Sequence, residues 1–368
     1  MQLTLHTELL QNQLKLFSKL IPSKPQLPIL SGILISADTS TITFSSTDLF
    51  VGLKITIAAK VEEPGTLVVP GKQFIEIITS MSGGVVQLHT TDTALRISND
   101  SADTTLSFLS AEDFPEFPHV SGEVLTLSKE QLDTITSYVV MSASSDQARP
   151  TLTAVLFDVK ESPPRAVATD GFRLSLLELP NLRVDQEPFL VPARLLTDVS
   201  RMMQVQSESE IECQVDYEQK AVLFQLGQLL FFVRMIDGQF PPYQKIIPET
   251  FSTTLECSIE ELLEHCKRAL IFSRDNSDII QLHLSTKETK IVGTATATGK
   301  YEGSVLSGVV TGEDVDVAFN ARYIIDLLQA SKTGQLSVSV QEPLKPTLWH
   351  ITDVPELRYI VMPFRLNG

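Results

Sequence analysis

One plan is written three times along this chain of 368 residues, and that repetition limits the fold more than any single motif does. LTLH at positions 3–6 returns as LTLS at 125–128, 122 positions later, and more loosely as LECS at 255–258, a further 130 on. A helical pattern follows each copy. Leu10, Leu14, Phe17 and Ile21 share one face in the first, Leu132, Ile135 and Val139 in the second, and Ile259, Leu262, Leu263, Cys266 and Leu270 in the third. Ser128 and Ser258 stand where an N-cap hydroxyl would accept an orphan backbone N–H.

A second helix recurs as well. Phe74, Ile77, Ile78 and Met81 form its apolar face in the first copy, Leu195, Val199, Met202 and Met203 in the second, and Ile324, Leu327 and Leu328 in the third. Pro70 and Pro192 are again 122 apart, as are the pairs Thr47-Asp48 and Thr169-Asp170. Each copy nears its end with a turn before proline: DFPEFP, GQFPPY and VMPFRL. Alternating runs such as TLVV, VVQLHTT, TLSFL, AVLFQL, LLFFVRM and QLSVSVQ read as strands, and Gly83-Gly84 as a helix stop. The expected fold is therefore α+β, with three repeated domains of two helices on a largely antiparallel sheet. Their borders fall at 1–121, 122–250 and 251–368.

Bulk composition narrows the function. With 43% hydrophobic and 20% charged residues the chain reads as globular rather than disordered. The first residues lack a basic segment followed by an apolar core, and no apolar run reaches the roughly 20 residues a membrane helix needs, so neither a signal peptide nor a membrane partner is expected. Cys213, Cys257 and Cys266 are odd in number and never spaced as CxxC, which favours a reducing, cytoplasmic setting without disulfides or structural zinc. The net charge of −16 argues against a protein that grips phosphates over its whole surface.

Catalytic machinery is not found. The six histidines are scattered without metal-ligand spacing, and no nucleotide-binding glycine loop occurs, so no metal and no cofactor are expected. Glu313, Asp314 and Asp316 in GEDVD read as a solvated acidic turn. In the loop TDGFRL, Asp170 could serve as a base or Arg173 as an anion clamp, yet the matching TDLFVGL lacks both the glycine and the arginine. A turn made by an Asx bond and a permissive Gly171 explains the loop without chemistry. The chain reads as a binding protein, with an enzyme built on Asp170 and Arg173 as the alternative from another class.

VATDGFRLS, DGQFPPYQKIIP, FNARYIIDLL and YIVMPFRL, with KPQLPIL and EDFP, closely resemble the bacterial DNA polymerase sliding-clamp family, the β subunits of replicative polymerases. The resemblance covers all three repeats. It implies a head-to-tail homodimer, closed as a ring of six domains around double-stranded DNA of any sequence, with helices lining the hole. It also implies docking of short peptides from the replicative polymerase catalytic subunit, the clamp loader, other DNA polymerases and repair proteins. Carried over motif by motif, the peptide cleft lies between the second and third domains. It comprises Leu152, Thr169, Gly171, Phe172, Arg173, Leu174, Pro241, Ile246, Asn320, Tyr323, Ile360, Met362, Pro363, Phe364 and Arg365. Lys24, in KPQLPIL, is assigned to DNA together with Lys72, Arg194, Arg201 and Lys267, the last four from a wider set of cations on or beside the helices that includes Lys15, Lys19, Arg268, Arg322 and Lys332. Leu106 against Ile271 and Phe272 is assigned to the dimer interface. Phe172 and Phe364 replace residues more usual in the family, and Asn367 and Gly368 extend past its customary end, which bears on partner preference. A peptide-binding scaffold that never encircles DNA is the alternative function.

Overall fold

The computed structural model describes residues 1–180, 182, 186–295 and 299–365; Leu366, Asn367 and Gly368 lie outside the described residues. Six α-helices occur among them: α1 Thr7–Phe17, α2 Gly71–Ser80, α3 Lys129–Thr134, α4 Ala193–Gln206, α5 Ile259–Ser273 and α6 Ala321–Ser331. Two helices thus fall in each repeat. Every strand pairing among the described residues is antiparallel.

The repeat is built from two sheet halves rather than one sheet, and halves of neighbouring repeats are hydrogen-bonded to each other. The chain accordingly divides into two compact units that cut through the middle repeat: residues 1–129 with 197–235, and residues 130–196 with 236–368. The first unit holds a five-stranded sheet ending on Asp103–Ser107 and an eight-stranded sheet. In the latter, Leu229–Arg234 of the middle repeat pairs with Val51–Ala58 of the first, Val233 opposite Val51. The second unit holds a nine-stranded sheet and a four-stranded sheet ending on Gly299–Ser304. In its nine-stranded sheet, Arg173–Glu178 of the middle repeat pairs with Leu357–Val361 of the last, Arg173 opposite Val361.

Local sequence explains these elements. Gln335–Val340 buries Leu336, Val338 and Val340 and turns its serines outward, the alternation of a strand with one covered face. α6 buries Ile324, Ile325, Leu327 and Leu328 and starts on Asn320, whose Oδ1 accepts from Arg322 N at 2.9 Å. Ser258 caps α5 as expected, its Oγ accepting from Glu261 N at 3.4 Å. At the expected first border, a side chain on Gly122 would put its Cβ 1.9 Å from the Val215 carbonyl oxygen, so the chain can pass there only as glycine.

Several helical details differ from the periodic reading. α1 stops at Phe17, and Ile21 is buried one turn later, outside it. In the middle repeat α3 widens into a π turn at Ile135–Val139 and then tightens at Val140–Ser142, although Leu132, Ile135 and Val139 are all fully buried. Apolar spacing reports which face is buried; it is blind to such a local change of pitch. Leu196 rather than Leu195 is the core residue of α4, and Ile75 is buried more deeply than Ile77 in α2.

Candidate functional site

Thr169 and Asp170 turn the chain sharply between strands Arg165–Thr169 and Arg173–Glu178. Asp170 Oδ1 accepts from Phe172 N at 2.9 Å and Arg173 N at 3.0 Å. Thr169 Oγ1 accepts from Gly171 N at 3.0 Å and donates to the Arg173 carbonyl at 2.6 Å. Gly171 has φ +96°, which only glycine adopts without strain. With the N–H groups of Gly171, Phe172 and Arg173 satisfied within it, the turn can hold the Phe172 side chain out, 55% exposed.

Behind the phenylalanine, Arg173 is locked in place. Its Nε lies 3.0 Å from Asp170 Oδ2, its Nη1 2.7 Å from Asp326 Oδ2, and its guanidinium carbon 4.7 Å from the Tyr323 ring centre. The Tyr359 hydroxyl, 3.4 Å from Nη1, donates to the Tyr323 carbonyl. Burial opposes the charge on Arg173, but Tyr359, Asp326 and Asp170 outweigh it and move its pKa up. Arg173 therefore fastens the turn to α6 and is not presented as a bare clamp for an anion.

The tail is fastened too. Met362 N donates to the Phe172 carbonyl at 2.9 Å and Phe364 N to the Ala318 carbonyl at 2.7 Å. Met362, hydrogen-bonded to the Phe172 backbone, and Phe364 are left exposed, Pro363 is half-buried and Arg365 is exposed. Leu174 and Ile360 are neighbours across the strand pair, 1% exposed, and share an apolar cluster with Val167, Leu176 and Tyr243. Leu174 and Ile360 thus belong to the buried interior and not to the exposed surface. Phe240 and Ile247 pack on that cluster, which brings the segment carrying exposed Pro241 and Ile246 onto the same sheet. Leu152 is buried; Arg149, three residues before it, donates through Nη1 to the Asp170 carbonyl at 3.4 Å.

The Tyr243 hydroxyl donates to Asp158 Oδ2 at 2.9 Å in a buried contact that pins this segment. Burial pushes the Tyr243 pKa up, opposed by Arg165 and reinforced by Asp158. Tyr243→Phe would leave the buried Asp158 carboxylate without this donor. The expected result is a loss of about 1–3 kcal/mol, read as a lower denaturant midpoint at unchanged slope.

Arg149, Asp158, Asp326 and Tyr359 escaped the sequence reading. Asp326 and Tyr359 stand inside the motifs FNARYIIDLL and YIVMPFRL but were not singled out there, and the contacts that matter, Arg149 with Asp170, Asp158 with Tyr243, and Asp326 and Tyr359 with Arg173, join residues distant in sequence.

The cations lie on exposed surface. Lys72, Arg194 and Arg322 occupy the second position of α2, α4 and α6, one per repeat. Lys72 Nζ lies 3.0 Å from Ser23 Oγ, which draws Lys24 and Lys72 into one neighbourhood. Lys24, Lys72, Arg194 and Lys267 have no carboxylate partner among the described residues. By contrast, Arg201, Arg268 and Arg322 are partly neutralised by Asp198, Glu264 and Asp278 at 3.3, 2.9 and 2.6 Å. Leu106 sits half-buried on the edge strand Asp103–Ser107. Ile271 is 58% exposed near the end of α5, and Phe272 stacks on Tyr301 of the edge strand Gly299–Ser304 with ring centres 6.4 Å apart. Glu313, Asp314 and Asp316 are exposed. Among the described residues no cluster of three His, Cys, Asp or Glu could hold a metal, and no helix is long and apolar enough to cross a membrane.

Comparison with known proteins covers the whole chain. Residues 1–118 match the N-terminal domain of the DNA polymerase III beta subunit, residues 126–242 its central domain and residues 244–365 its C-terminal domain. The beta sliding clamp of Synechococcus elongatus is 28% identical across 100% of both chains, and that of Chlamydia muridarum is 25% identical across 97% of each. The DNA polymerase III beta subunit of Thermotoga maritima has a similar structure, with a TM-score of 0.91 at 26% identity over 100% of both chains. The sliding clamp from Bacillus subtilis gives 0.92 at 22% identity, again over 100% of both.

Proposed function

The chain belongs to the DNA polymerase III beta subunit family, and from that membership we propose how this molecule does its work. It is a DNA sliding clamp, a non-catalytic subunit that gives the replicative polymerase its processivity. Two copies close head-to-tail around duplex DNA, in the cytoplasm. Each copy comprises domains 1–121, 122–250 and 251–368, a division supported by the three matched segments.

One observation carries the ring. Inside the chain, two pairs of sheet halves are already joined into sheets of eight and nine strands. The two remaining halves have five and four strands, and each ends on an edge strand, Asp103–Ser107 or Gly299–Ser304, with no neighbour on its outer side among the described residues. Joined between copies, they would form nine-stranded sheets like the one inside the chain, and would remove edges that otherwise invite aggregation. Such a contact joins two different surfaces, and two of them close a dimer about a two-fold axis. Leu106 on one edge, with Ile271 and Phe272 beside the other, supplies its apolar centre.

Retention by topology needs little phosphate affinity. The assigned cations Lys24, Lys72, Arg194, Arg201 and Lys267 give weak contacts that let the ring slide, while the overall charge of −16 discourages adhesion elsewhere. Lys24→Ala and Lys72→Ala should each lower the salt slope of DNA association by about one unit. Each should also leave loader-dependent retention on nicked circular DNA intact. Loss of all retention from one such change, with the dimer preserved, would contradict encirclement. The wild-type test is release when the circle is linearised; a scaffold that does not encircle DNA would show no such dependence on topology.

The turn at Phe172, the fastened tail and the segment carrying Pro241 and Ile246 form the docking cleft for short peptides from the polymerase, the clamp loader and repair proteins. Exposed Phe172, Met362 and Phe364 offer apolar contact over a pinned backbone, so little ordering cost attends binding.

A further inference from the structure

The turn that presents Phe172 has an atom-for-atom counterpart in the first repeat. Thr47 Oγ1 accepts from Leu49 N at 2.9 Å and donates to the Val51 carbonyl at 2.8 Å. Asp48 Oδ1 accepts from Phe50 N at 2.9 Å and Val51 N at 2.7 Å. The Phe50 carbonyl accepts from Arg234 N at 2.8 Å, as the Phe172 carbonyl accepts from Met362 N. The strand after each turn pairs with the next repeat in the same register, Val51 opposite Val233 and Arg173 opposite Val361. Phe50 is 60% exposed, slightly more than Phe172.

Three departures alter the surface without dismantling it. Leu49 stands where the other turn has Gly171 and holds φ +78°, a left-handed conformation unfavourable for leucine. Glycine would relieve that strain; leucine adds a second exposed apolar side chain beside Phe50. Gly52 replaces Leu174, and the Phe117 ring fills the space, 3.1 Å from where a Cβ would lie. Arg234 replaces Met362. Its Nε donates to the Leu49 carbonyl at 3.1 Å, and its Nη groups have no carboxylate partner among the described residues. Lys54 lies 5.9 Å over the Phe117 ring, likewise without a carboxylate. On a chain of net charge −16, Arg234 and Lys54 set two cations around an apolar knob whose one turn carboxylate, Asp48, is already engaged by the backbone N–H groups of Phe50 and Val51.

We propose that the turn at residues 47–51 is a second docking site, one per chain, for a short linear peptide that sets an apolar side chain beside a carboxylate. Leu49 and Phe50 would supply the apolar contact, while Arg234 and Lys54 would attract the acid. The proposal rests on reading the turn at Phe172 as a docking wall, and its test separates the two. The probe is a fluorescein-labelled decapeptide with a Leu-Phe core flanked by aspartates, titrated into the intact dimer by anisotropy with stoichiometry from calorimetry. Two sites per chain are expected, the second weakening as salt rises. Leu49→Gly and Phe50→Ser should each weaken that second site at least tenfold and leave the first unchanged, whereas Phe172→Ala should do the reverse. Since glycine accepts φ +78°, Leu49→Gly should preserve the fold and dimer mass, so its effect reads binding alone. One site per chain up to roughly 1 mM probe, or a second site indifferent to both Leu49→Gly and Phe50→Ser, would overturn the proposal. No binding at all, or binding indifferent to Phe172→Ala, would instead overturn the reading of the Phe172 turn on which it rests.

Discussion

Ile271→Ala combined with Phe272→Ala should turn the dimer into monomers at working concentration. Phe272 stacks on Tyr301 of the edge strand Gly299–Ser304, and Ile271, next to it in sequence, is an apolar side chain left 58% exposed. Burying each side chain is worth about 1.5 kcal/mol at the low end of the usual range. A two-fold ring has two identical contacts, so each substitution counts twice. The total is roughly 6 kcal/mol, or about four decades in the dimer Kd. Sedimentation at nanomolar concentration reads the outcome, and retention on nicked circular DNA should disappear in parallel. Ile271→Ala alone is the control for folding, because Phe272 also stacks on Tyr301 within the copy. A double variant still dimeric at nanomolar concentration would remove these residues from the interface.

Removal of residues 362–368 should weaken peptide-bearing partners by tenfold or more. The cut takes away exposed Met362 and Phe364 and the hydrogen bonds that hold the tail to Phe172 and Ala318. A partner leucine buried there contributes roughly 1.5–3 kcal/mol, and about 1.4 kcal/mol is a factor of ten. Met362→Ala should show a smaller loss of the same sign, and Phe172→Ala should change preference among partners. Fluorescence anisotropy with partner peptides gives the affinities. Dimer mass and circular dichroism should stay at wild-type values, because the edge strands are untouched. Unchanged affinity in a folded, truncated dimer would dismiss the cleft.

The triplication was legible because it is written in spacing: Pro70 with Pro192, and Thr47-Asp48 with Thr169-Asp170, survive as equivalent positions in space. The Asx turn at Asp170 was legible because it is local, made by residues two and three positions apart. The split of each repeat into two sheet halves was not. Alternation marks a strand but carries no record of its neighbour, and Arg173 opposite Val361 joins residues far apart in sequence. The partners of Arg173 were hidden for a related reason. Its charge was visible, but Asp326 and Tyr359, which hold it, come from the last repeat. Resemblance named the residues of the proposed cleft, while burial divides them: Leu174 and Ile360 lie inside the sheet, and Phe172, Met362 and Phe364 are exposed.

The crossing of sheets between repeats also bears on dissection of the molecule. A fragment cut at the sequence borders, residues 122–250, would keep its helices and its strands yet strip Leu229–Arg234 of Val51–Ala58 and Arg173–Glu178 of Leu357–Val361. Both flanks would then offer bare rows of N–H and C=O to any passing strand, with Phe231, Phe232, Leu174 and Leu176 newly wetted beside them. The segment that was copied in sequence is therefore not a segment that can be isolated. A soluble miniature has to retain each seam whole and place its new ends where no ladder of hydrogen bonds is severed.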